Sequence, residues 1–92
     1  MVLTFDQIAT VAKKVVDYNN SDSRKYDLHM NISTGISEDT SVRIIVYNRY
    51  IPNAESHTSS IYGSIQCDSL YCSATFEQMM EFIDKYANEK ED

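Results

Sequence analysis

The chain has 92 residues, 42% of them hydrophobic, with seven tyrosines, three phenylalanines and no tryptophan. That composition suits one small domain over 1–92, and no stretch nears the ~20 apolar residues of a spanning helix. A net charge of −6 disfavours a phosphate backbone as first partner and favours a basic protein surface.

The acids are unevenly placed. From Met1 to Thr34 the charges cancel, whereas Phe76 to Asp92 carries six acids against Lys85 and Lys90. The opening Met-Val-Leu-Thr-Phe-Asp has no basic region followed by an apolar run, so no signal peptide is expected and the chain reads as cytoplasmic. Two cysteines, Cys67 and Cys72, are too few for a disulfide framework and suit a reducing compartment.

Thr4-Phe5-Asp6-Gln7 opens a first helix. The Thr hydroxyl can accept from the third helical N–H while Gln reaches back to the Thr N–H, and the acid sits at the favourable end of the helix dipole. Phe5, Ile8, Ala12, Val15 and Val16 are expected to form the apolar face, flanked by Ala9 and Val11. Leu3 and Ile8 can staple the start of the helix. Asn19-Asn20-Ser21-Asp22-Ser23 ends it, because short polar side chains compete for the backbone.

Residues 26–34 alternate, with Tyr26, Leu28, Met30 and Ile32 set against Asp27, His29, Asn31 and Ser33. This predicts a half-buried strand. After a loop from Gly35 to Thr40, the run 42–47 is apolar on both parities and predicts a central strand. Pro52-Asn53-Ala54-Glu55 breaks the sheet. A third strand over 58–66 is expected to put Ile61, Gly63 and Ile65 on one face and Ser60, Tyr62 and Ser64 on the other, with Gly63 marking a bulge or a close neighbour.

Thr75-Phe76-Glu77-Gln78 repeats the first capping signature and opens a second helix. Its stripe is Phe76, Met79, Met80, Ile83 and Ala87, with Glu77, Glu81, Asp84 and Lys85 toward water. Phe82 and Tyr86, four residues apart, form an aromatic ridge beside that stripe. Residues 88–92 read as a frayed tail. The sum is an α+β fold in the order α-β-β-β-α, a three-stranded antiparallel sheet with both helices on one face.

Two surfaces are candidate contact sites. On the uncovered sheet face, His29, Asn31, Arg43, Ile45, Tyr47, Arg49 and Tyr62 have the composition of a binding hot spot, with five of them (Arg43, Ile45, Tyr47, Arg49 and Tyr62) as the expected contacts. The same tyrosines and arginines suit stacking on single-stranded bases, or self-association of the open face. On the second helix and tail, Glu77, Glu81, Asp84, Glu89, Glu91 and Asp92, with the Phe82–Tyr86 ridge alongside, offer carboxylates that can imitate phosphates in a basic groove. Against these stand an ordinary solvent face and a charge run that only aids solubility.

Catalysis is not expected. The only glycines are Gly35 and Gly63, so there is no phosphate loop, and no residue sits in a nucleophile elbow or paired-base context. Cys67, Cys72, His29 and His57 match no zinc-ligand spacing, so neither metal nor cofactor is expected.

The α-β-β-β-α order resembles that of double-stranded RNA-binding domains. Those modules carry lysines where this chain has Ser73, Ala74, Thr75, Phe76, Glu77 and Gln78, none of them basic, so the RNA grip is not implied. In size, acidity and layout, over its whole length, the chain also resembles small inhibitors made by phages and mobile elements, such as anti-CRISPR proteins. That resemblance implies function by occlusion: the protein would cover a nucleic-acid-handling surface of a partner protein without chemistry.

Overall fold

The computed structural model describes residues 3–34, 40–49, 61–68 and 74–89. The element order is α1 (Phe5–Asn19), β1 (Tyr26–Thr34), β2 (Thr40–Asn48), β3 (Ile61–Asp68) and α2 (Phe76–Ala87). The fold is the expected α+β arrangement, an open antiparallel sheet in the order β1-β2-β3 with two helices. The expected loop at 35–39, the predicted break at Pro52–Glu55, residues 58–60 of the expected third strand and residues 90–92 of the expected tail lie outside the described residues. Asn88 and Glu89 of that tail donate to the carbonyls of Asp84 and Tyr86 at 3.0 and 3.2 Å.

Both helices begin as the repeated signature dictates. Thr4 Oγ1 accepts from Gln7 N–H at 3.1 Å and Gln7 Oε1 from Thr4 N–H at 3.0 Å. Thr75 and Gln78 repeat the exchange at 3.2 and 2.9 Å. Each box satisfies two of the four N–H groups that a helix start leaves without a partner.

The sheet is built on β2. In register, Leu28 lies opposite Val46, Met30 opposite Ile44 and Ile32 opposite Val42. On the other side Ile44 meets Ile65 and Val42 meets Cys67. Their shared face carries the helices, and the core joins Leu28, Val42, Ile44, Val46 and Cys67 to Val11, Val15, Met79 and Ile83. Lys14 Nζ reaches Asp84 Oδ1 at 2.6 Å and ties α1 to α2 across its outer surface.

The face that α1 turns inward matches expectation at Ile8 and Val15 and differs from it at Phe5, Val16 and Tyr18. Ile8, Val11, Val15 and Tyr18 are buried, whereas Phe5 and Val16 are 74% and 55% exposed. Tyr18 decides the rotation: its hydroxyl oxygen accepts from Tyr26 N–H at 3.1 Å, so the helix turns its tyrosine edge toward β1.

Candidate functional site

The expected sheet-face site is divided by the structure. His29, Arg43, Ile45 and Tyr47 do share the face opposite the helices, since their neighbours Leu28, Ile44 and Val46 face the core. His29 and Tyr47 meet edge to face at 5.0 Å. Ile45, directly across from His29, is only 6% exposed despite lying outside the core cluster. It therefore offers little apolar surface to a partner.

Tyr62 is not on that face. The β2–β3 register slips between Val46 and Tyr47, so that Tyr47 opposes Ile61 rather than Tyr62. One extra residue in a strand reverses the side to which the following side chains point. Tyr62 thereby joins the helix-bearing side, edge to face with Tyr26 at 4.9 Å, and Ile61 takes the open side that Tyr62 was expected to hold. Arg49 is also diverted. It lies beyond the end of β2, and its guanidinium donates at 2.9 Å to the carbonyls of both Asp22 and Arg24, pinning the α1–β1 turn.

On α2 the carboxylates and the ridge part company. Glu77, Glu81 and Asp84 are exposed as expected, but Tyr86 is buried and Phe82 half-buried, both turned to the sheet. Their rings meet at 5.1 Å, and Tyr86 packs edge-on to Tyr26 at 5.2 Å. The ridge is a wall of the core, so of the expected contact set on this helix only the acids are exposed. Asp84 is held by Lys14, whereas neither Glu77 nor Glu81 has an ion-pair partner among the described residues.

Burial, and then hydrogen bonding to the Glu89 carboxylate, push the Tyr26 phenol up from 10.0 to about 12. Lys25 sits over the same ring at 5.7 Å. Burial also raises Tyr18, in spite of the backbone hydrogen bonds around its hydroxyl. The unfolded chain ionises first, so stability is intact below pH 10.0 and falls as pH rises from there to about 12. Urea midpoints measured across that window are expected to drop, and Tyr26→Phe to drop less; equal slopes would remove Tyr26 as the cause.

Among the described residues no group of three His, Cys, Asp or Glu could hold a metal ion. His57 and Cys72 lie outside those residues, and Cys67 is buried. No helix among the described residues is long and apolar enough to cross a membrane. Comparison of the chain with protein families, curated proteins and solved structures returns no match.

Proposed function

We propose that this chain is a small acidic binding protein that covers a basic, nucleic-acid-handling surface of a protein partner and thereby inhibits or modulates it. This is the mode of the phage anti-defence inhibitors that it resembles in size, charge and layout. The observation that carries the reading is the pair Glu77 and Glu81, exposed one turn apart on α2 with no cation paired to either among the described residues. Like charges at this spacing cost a helix about 0.2–0.5 kcal/mol. Asp84 meets Lys14, yet these two glutamates are left facing water on a helix whose start is fixed by its capping box. A basic groove would offset their repulsion, and a rigid row of carboxylates enters it with little ordering cost.

The test starts from a tagged pull-down out of bacterial lysate, treated with nuclease, to obtain the partner. The double variant Glu77→Lys/Glu81→Lys is then expected to bind that partner at least about tenfold more weakly, with wild-type binding falling steeply as salt rises. Its melting temperature should fall by several degrees at most, because both side chains are exposed and the main loss is the favourable charge of Glu77 in the first turn of α2. Unaltered affinity in the double variant would refute the acidic-face reading.

A further inference from the structure

Helix α1 carries a second apolar stripe that the core does not use. Phe5 and Val16 are its exposed ends, and Ala9 and Ala12 fall between them at i+4 and i+7. At roughly 100° per residue, the stripe lies about 110° around the helix from the core-facing side chains. Lys14, which reaches α2, is on the opposite flank. The stripe therefore points away from α2, toward the outer side of β1.

Along that side runs the free edge of β1, and only half of it is closed. Tyr18 accepts from Tyr26 N–H, and the Asn19 carboxamide meets both backbone groups of Leu28, at 2.8 and 3.0 Å. Alternate residues of an edge strand direct N–H and C=O outward. The next outward groups belong to Met30, Ile32 and Thr34, and none of them has a partner among the described residues. Ile32 is 51% exposed, and this stretch has none of the charges, prolines or bulges that usually block edge pairing. Of the five exposed large hydrophobics among the described residues, Phe5, Val16 and Ile32 lie on this one side.

We propose that a second copy of this chain docks there, pairing β1 with β1 antiparallel and α1 with α1 across one two-fold axis. Both features are self-complementary. Centred on Ile32, the strand exchanges hydrogen bonds with itself and sets Met30 against Thr34 of the second copy. Centred between Ala9 and Ala12, the helix sets alanine against alanine and Phe5 against Val16 of the second copy. The two centres coincide. From Asn19 back to the helix midpoint is about 13 Å at 1.5 Å per residue. From Leu28, which Asn19 grips, on to Ile32 is also about 13 Å at 3.3 Å per residue. One rotation therefore serves strand and helix together.

Packing and charge agree with that occupant. Paired strands lie only ~4.8 Å apart, so the helices above them must approach closely, and alanines at the crossing permit it. The exposed Asp6 and Lys13 rim the stripe, and the same rotation brings each near the opposite charge on the other copy. The sequence up to Thr34 has four acids and four bases, while the acidic α2 packs toward β3 at the far edge. The like-charged faces are thus kept apart, and this surface is separate from the Glu77–Glu81 face.

Sedimentation equilibrium at about 50 μM, a concentration that populates dimers of micromolar affinity, is expected to give twice the 10.6 kDa of the chain. Ala9→Glu burdens the helix stripe, and Ile32→Pro removes an N–H that the β1–β2 ladder does not use. Each is expected to weaken association by at least about tenfold while the monomer still melts cooperatively. If one of them fails to fold, the other decides. A wild-type monomer at that concentration overturns the proposal, as does a dimer that both folded variants leave intact.

Discussion

Shortening Ile44 to alanine is expected to cost about 4 kcal/mol of unfolding free energy, near the upper part of the range for buried aliphatic truncations. Ile44 is 0% exposed at the middle of the central strand, opposite Met30 on one neighbour and Ile65 on the other. Its face belongs to the same cluster as Met79 and Ile83, which are 0% and 1% exposed. With helices above and strands on both sides, the backbone has little room to collapse into the cavity. A domain of this size is held by about 5–15 kcal/mol, so the loss takes a large share and lowers Tm by about 20 °C. Ile44→Val, which removes one methyl, should cost about 1 kcal/mol and give a graded control. Urea unfolding monitored by circular dichroism separates the two. Equal small losses in both variants would mean that the core is not centred on this strand.

The second large effect is at Gly63, and its sign should depend on a residue in another element. A Cβ added there would lie 2.7 Å from Tyr86 Oη, but 3.7 Å from Tyr86 Cζ and 3.8 Å from Phe82 Cε2. Only the hydroxyl is too close. Gly63→Val is expected to cost about 2–3 kcal/mol by overpacking, and Gly63→Ala somewhat less. In a Tyr86→Phe background the obstructing atom is gone, and alanine meets ordinary contacts. It then gains about 0.5–1 kcal/mol by restricting the unfolded chain, so Gly63→Ala should turn from harmful to neutral or stabilising. A double-mutant cycle reads this as a coupling of at least about 1 kcal/mol. Additive effects would show that α2 does not press its tyrosine onto β3 at this point.

The architecture was legible because its signals are local. The Thr-Phe-Asp-Gln and Thr-Phe-Glu-Gln starts specify their caps within four residues, and the alternation from Tyr26 to Ser33 specifies a strand by itself. The two-sided apolar run of β2 marked it as central. What was misread depends on partners distant in sequence. Helix α1 has two apolar stripes, and nothing within the helix says which is buried; the Tyr18 bond to Tyr26 selects the one ending in Tyr18. Tyr62 follows from a register slip against β2, which single-strand alternation does not reveal. Arg49 was assigned by parity, but its role is set by carbonyls 25 and 27 residues earlier. Asn19 was read only as a helix terminator, although its amide also occupies the edge of β1 like one residue of an extra strand. An Asn among polar turn residues gives no warning of that second duty.

Among the described residues the strands lie in space in the order in which they occur along the chain, and each pairs with its sequence neighbour. Closing such a meander asks for short searches at every step, so the entropic toll of each ladder is small and folding should be rapid for a sheet protein. It also sets a direction. The first helix and the β1–β2 hairpin can form while the rest of the chain is still being synthesised. Met79, Ile83 and Tyr86 arrive last and seal the core. During that interval the apolar side of the hairpin lacks its final cover, and the chain is then at its most vulnerable to aggregation.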